Sequence, residues 1–412
     1  MQEAEAASMI VDVPTRPDTR VKTRAVRRTM RASAPQSVTF VELFFDLVFV
    51  FAVTQVTVLT AHDLTPAGIV RSLLVFWLIW WAWTQFTWTL NPADTTHAAV
   101  RLITLVATGA AFVMATTVAG AFGPDGLWFV GTYVVVRALG LGLQVRVDLE
   151  HPEADHVGVR RWVAFSVIGL AIVLVGGLAD PDVRPWLWLA AIGADLLAAS
   201  IAGKATTWDL NPAHVAERHG LFVIIAIGES LIVAGTAVAA EERTVPLVAA
   251  AIAALVVACL LWWSYFGWLK DALEHRLTAA PSNALGRLTR DAYSVAHFPL
   301  VCGIIGFAVA IEEIVAHPDE PAGAEVVAAL GIGIALFVGS SALSWWRLSG
   351  RILLHRLAVL AVMAVVLAAV APLEPVWPLV VVAVALLAVI VLEMAGGSVP
   401  PDEFSADPWS HE

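Results

Sequence analysis

The stretch VTFVELFFDLVFVFAVTQVTVLT, residues 38–60, is long and apolar enough to cross a bilayer, yet it carries two carboxylates. Glu42 and Asp46 lie four residues apart, so on a helix they sit one turn above each other on one face. A charge near the bilayer centre costs roughly 2.5–3.5 kcal/mol on insertion scales, which makes an acid there a functional question. Asp46 is the deeper of the two, by about 6 Å of helix rise.

The whole chain repeats the pattern of this stretch. Hydrophobic residues make up 59% and charged residues 14% of its 412 positions, and its mean hydropathy is +0.79, which excludes a soluble globular domain. Apolar runs near 38–60, 69–90, 98–121, 126–145, 161–179, 184–203, 218–240, 245–269, 292–315, 325–346, 352–371 and 376–395 predict an all-α polytopic membrane protein with about twelve transmembrane helices. Short separators such as Gly123-Pro124-Asp125-Gly126 and Asp180-Pro181-Asp182 mark the cuts.

With twelve spans, nineteen of the 24 basic residues fall on the side of the N-terminus and only Arg71, Arg184 and Arg243 on the other. That asymmetry predicts that both termini are cytoplasmic. Residues 1–37 read as a basic cytoplasmic arm whose charges set topology and meet anionic lipid, rather than as a signal peptide or a nucleic-acid-binding segment. Residues 397–412 read as an acidic tail. Cys259 and Cys302 lie in separate spans without ligand spacing, so neither a disulfide framework nor a metal site is expected, and no cofactor is implied.

The two membrane halves, 38–212 and 213–396, resemble each other. Glu42 to Thr57, the aromatic run Phe76 to Trp83 and His97 have counterparts in Glu217 to Thr236, Leu260 to Trp268 and His297. A six-plus-six parallel repeat is a plan used by secondary transporters, whose substrate path runs between the halves. The tryptophans have a plainer reading as interfacial anchors.

The run Val41 to Val50, with its ELFFDL string, and the run Glu217 to Ser230 resemble the two signature segments of the bacterial low temperature requirement protein A family. The resemblance implies a multi-pass inner-membrane protein linked by name to growth in the cold. It brings no biochemical activity with it.

The mechanistic reading rests on the ionisable residues inside the spans. Asp46, Arg137, Asp195 and Glu229 lie near the middles of their segments and are the candidates for a proton or substrate pathway. Three acids against one arginine leave a surplus carboxylate, which in low dielectric takes up a proton rather than stay charged. Asp46 and Glu229 form the expected protonatable pair with Arg137 as counter-charge, and Asp195, in a small-residue setting, is expected to pair with Arg137. Secondary candidates are Glu42 and Glu217, suited to helix capping or to pairing with Arg218 or Arg101, and the similarly placed His97 and His297, which suit either a proton relay or an interface. The Leu-Asn-Pro-Ala strings at 90–93 and 210–213 read as helix-stop turns.

No nucleophile elbow, Walker loop, HExxH or dinucleotide fingerprint is present, so no catalytic residue is nominated. The expected activity is proton-linked secondary transport of a small solute, in contact with membrane lipids and open to oligomer formation. The rival is a non-transporting membrane protein supporting the envelope at low temperature, in which the same charges fix helix packing.

Overall fold

A computed structural model describes residues 29–151, 156–202, 210–240 and 242–396. Most of the predicted basic arm and all of the acidic tail lie outside the described residues. The described chain is helical: α1 (Phe40–His62), α2 (Pro66–Leu90), α3 (Ala98–Thr116), α4 (Gly126–Asp148), α5 (Val157–Leu178), α6 (Arg184–Ala202), α7 (Pro212–Ala240), α8 (Val245–Phe266), α9 (Leu269–Thr278), α10 (Ser282–Thr289), α11 (His297–Ala316), α12 (Ala324–Ser349), α13 (Leu354–Val370) and α14 (Val376–Ala395).

Local signals set the boundaries. Thr65 accepts a hydrogen bond from the Gly68 amide at 3.2 Å just ahead of Pro66, and Thr244 accepts one from the Leu247 amide at 3.3 Å ahead of Val245, so each hydroxyl caps its helix. Gly350, at φ 70, takes the left-handed conformation that stops α12.

Ten helical stretches among the described residues are long and apolar enough to span a membrane, against twelve expected. The difference falls at the sixth and eleventh segments. After the stop at Gly350, α13 begins only at Leu354 and keeps 17 residues, about 26 Å of rise against a hydrocarbon core of about 30 Å. The 19-residue α6 runs into residues outside the described set.

The ninth segment also departs from expectation. Its first turns are α10 and a π-helical turn, Arg290–Val295, before α11 begins at His297. The widened turn frees carbonyls that other helices then satisfy. Trp80 Nε1 donates to the Ser294 carbonyl at 2.7 Å, and Ser344 Oγ donates to the Ala292 carbonyl at 2.8 Å.

Tryptophans of α2 are not interfacial anchors. Trp77, Trp80, Trp81 and Trp83 are all buried, because α2 is enclosed by protein on most sides. Phe76 and Trp77 meet Phe298 of α11, while Trp80 and Trp83 meet His219 and Phe222 of α7. The indoles join the halves rather than the membrane surface.

Helix neighbours follow a pattern within each half. In the first, α1 packs on α2 and α3, α3 on α4, α4 on α5, and α5 on α6; in the second, α7 packs on α8 and α11, α11 on α12, α12 on α13, and α13 on α14. Across the halves, α1 touches α7 and α11.

A single side chain ties the far turns of the first half together. Arg184, 5% exposed, donates to the carbonyls of Ala121 at 2.8 Å, Gly176 at 3.2 Å and Gly177 at 3.3 Å. The Gly176 and Gly177 carbonyls stand in the last turn of α5, where a cation also meets the dipole favourably, and the Ala121 carbonyl stands in the connection between α3 and α4. Arg184→Ala strands them and is expected to cost about 1–3 kcal/mol, read as a lowered midpoint in thermal unfolding in detergent; Arg184→Lys, lacking the planar fork, should recover only part.

Candidate functional site

Where α1, α2 and α7 converge, four ionisable side chains meet out of contact with solvent. Phe40 opens α1 with Thr39 as its cap and Glu42 at the third position, so the Glu42 Oε1 atom accepts from the Thr39 amide at 3.1 Å and the Thr39 hydroxyl at 2.9 Å. That is a capping box, and it fixes one carboxylate oxygen by the helix start. The other, Oε2, meets Arg218 Nη1 at 3.2 Å and His214 Nε2 at 3.0 Å.

One turn deeper, Asp46 accepts from Trp83 Nε1 at 2.7 Å and from Arg218 Nε at 3.3 Å, and Arg218 Nη2 also closes on it. Glu42, Asp46, Arg218, His214 and Trp83 are all buried. The guanidinium lies 5.7 Å from the Trp83 ring centroid, a cation–π contact that seals one face. Two carboxylates on α1 therefore face one guanidinium and one imidazole on α7. With the imidazole neutral the group carries one surplus negative charge; with one added proton it is balanced.

The rim of this centre holds the two Asn-Pro turns. Asn91 Nδ2 donates to the Asn211 carbonyl at 3.0 Å, the Asn211 amide donates to Asn91 Oδ1 at 2.7 Å, and Asn91 Nδ2 lies 3.3 Å from His214 Nδ1. These residues do more than stop helices: they join the halves and hold the imidazole against Glu42. Residues 30–38 cross the same face, with the Asp94 amide donating to the Met30 carbonyl and the Val38 amide donating to Glu217 Oε2 at 3.1 Å.

The structure distributes the sequence candidates over several places. Arg137 lies on Asp195 at 3.1 Å, both buried, with Tyr133 at 3.3 Å from the guanidinium. Asp46 meets neither Arg137 nor Glu229. Glu229 is half-buried, accepts from Thr54 Oγ1 at 2.9 Å and borders a narrow gap with Thr57, Ser230 and Ile305. Arg101 is exposed and donates from Nε to the Thr95 carbonyl at 3.0 Å.

The two similarly placed histidines have different surroundings. His97 caps α3, accepting from the Ala99 amide at 3.2 Å. His297 is buried, its Nδ1 on the Ala292 carbonyl at 2.9 Å and its Nε2 on Tyr265 Oη at 2.8 Å. The carbonyl contact puts the ring proton on Nδ1, leaving Nε2 to accept from the phenol.

Sequence reasoning missed His214 and Trp83. The repeated Leu-Asn-Pro-Ala string was the available signal for His214, since it marks two equivalent turns and His214 follows the second. Arg356 and Glu393 were missed as well: they pair at 2.6 Å, with His355 and Trp268 on the same carboxylate.

Besides the gap at Glu229, cavities of different size lie between the halves among the described residues. One of about 30 Å³, enough for a water or two, is bounded by Trp81, Thr84, Gln85, Trp162 and Arg290. Another, about 270 Å³, lies between α1, α2, α11 and α12 at the opposite end of the bundle from Glu42.

A family model described as bacterial low temperature requirement A protein matches residues 37–391. An uncharacterized protein of Rhizobium meliloti (strain 1021) is 29% identical over 291 residues, covering 68% of this chain and 70% of the relative. No solved structure matches.

Proposed function

We propose that this chain, which belongs to the bacterial low temperature requirement A protein family, is a proton-linked secondary transporter of a small solute. The observation that carries the reading is the unbalanced centre in which Glu42 and Asp46 of the first half hold Arg218 and His214 of the second. A buried group one charge from balance stabilises a bound proton, and gaining or losing that proton alters the ion pairing that ties the halves together. Protonation and the separation of α1 from α7 are thereby linked.

The proposal includes twelve spans, with α6 and α13 completing the count, in an inner membrane with both termini cytoplasmic. It also includes the six-plus-six repeat. Its support is the recurring order of neighbours, in which α1 on α3, α3 on α4 and α5 on α6 are matched by α7 on α11, α11 on α12 and α13 on α14.

Asp46→Asn is the informative variant. It leaves Glu42 and Arg218 as a balanced pair, and the amide oxygen still accepts from Trp83, so the fold survives while the proton site is lost. In liposomes with a trapped pH dye, the parent is expected to move protons and Asp46→Asn to fall to the level of empty liposomes with an unchanged elution profile. Parent protein with no flux would sink the reading.

A packing role is favoured for one pair. Arg137 and Asp195 are balanced one to one and fully enclosed, so they tie α4 to α6 without a surplus charge. If the transport test fails, the rival of a non-transporting envelope protein extends that role to every buried charge.

A further inference from the structure

The 270 Å³ cavity is nearly twice the volume of an engineered apolar cavity that stays dry and binds benzene. Its walls are apolar: Val56 and Leu64 from the α1 side, Leu73 and Phe76 from α2, Ile305 from α11, and Leu336 from α12. It opens sideways, because three of its bordering residues, Ile69, Leu73 and Ile332, are 39%, 40% and 60% exposed on the bundle surface that lipid covers.

Its length matches one leaflet. The groove is bounded along α12 from Glu325 to Leu336, twelve residues with about 16 Å of helix rise between the first and the last, against about 15 Å for half a hydrocarbon core.

Two polar groups give it a head end. Ser72 is 3% exposed and borders the groove, and its hydroxyl has no hydrogen-bond partner. An orphaned buried hydroxyl calls for an acceptor. Glu325, exposed at the first turn of α12, stands at the rim. The nearest cation in sequence to Ser72, Arg71, lies with its guanidinium 6.0 Å from the Phe122 ring, outside the residues that border the groove.

We propose that this groove is a binding site for a phospholipid bearing an ammonium headgroup. One acyl chain lies between the halves, an ester carbonyl accepts from Ser72, and the ammonium meets Glu325. The site takes lipid from the leaflet at the end of the bundle opposite Glu42. It is independent of the proton site, which is at the other end.

The test uses the full chain in nanodiscs of equimolar phosphatidylethanolamine and phosphatidylglycerol, with phosphatidylethanolamine carrying a diazirine at the chain end. Crosslinks are expected on Phe76, Ile305 and Leu336, and native mass spectrometry is expected to find phosphatidylethanolamine enriched roughly fivefold among retained lipids, the ratio that about one charge at a membrane surface supplies. Glu325→Gln should remove the enrichment but keep the crosslinks. Leu73→Trp, at a rim position that is 40% exposed, should fill the groove and remove the crosslinks. Crosslinks spread evenly over the bundle surface, or equal retention of both lipids by the parent, overturn the proposal, and either result leaves the proton-flux measurement unaffected.

Discussion

Replacing Arg218 by methionine is expected to cost about 3–5 kcal/mol of fold stability, because it leaves two buried carboxylates with no guanidinium between them. The apolar substitute fills the volume, so the loss is electrostatic rather than a cavity. Rescue gives the sharper measurement: adding Asp46→Asn to Arg218→Met should recover a large part of the unfolding midpoint, and Glu42→Gln should do so less, since Glu42 keeps its Thr39 and His214 partners. Thermal unfolding of the parent, both single variants and both doubles in one detergent separates the terms. An Arg218→Met protein as stable as its parent would mean that the centre is hydrated, and the charge argument for this site would fall.

The asymmetry between centres gives that experiment its meaning. At α4 and α6 one guanidinium meets one carboxylate, at α13 and α14 Arg356 meets Glu393 with His355 beside it, and at α1 and α7 one guanidinium meets two carboxylates. Only the last joins the first half of the chain to the second. Packing alone is served by a balanced pair; a surplus acid costs stability unless a proton resides there.

The class of this protein was legible because hydropathy is additive along the chain, and most helices appear where the apolar runs lie. Partnership was legible only in part, because it depends on which faces of non-adjacent helices meet. Arg218 at its span edge was among the expected partners of Glu42, and only the approach of α1 makes it the counter-charge of Asp46 as well. Asp195 was easier, since its small neighbours Gly193 and Ala194 and the placing of Arg137 near the middle of the fourth span restricted the choices. The α2 tryptophans misled for a related reason. Trp near a helix end suits an aromatic belt or a protein interior alike, and the π-helical turn that offers Ser294 to Trp80 has no periodic signature in sequence.

The seam between α11 and α12 carries the second large effect. Gly303 and Gly333 face each other so closely that a Cβ on Gly333 would stand 2.8 Å from the Gly303 carbonyl oxygen and 2.9 Å from the Phe307 nitrogen, while one on Gly303 would stand 2.5 Å from the Gly333 oxygen. These neighbours are backbone atoms, so no rotamer change relieves the clash and the helices themselves must part. Gly333→Leu is therefore expected to cost about 3 kcal/mol or more, the upper range for overpacking. Gly339, six residues on in the same helix, has nothing within 4 Å of an added Cβ, and Gly339→Ala should be neutral or slightly stabilising. Comparing unfolding midpoints of the two variants isolates the close approach from any general effect of glycine replacement. A seam this tight makes α11 and α12 move together, so the proposed transport calls for a rearrangement where α1 meets α7, beside the surplus carboxylate. A disulfide engineered across α11 and α12 should then leave proton flux intact, and loss of flux on oxidation would place the moving contact in the seam instead.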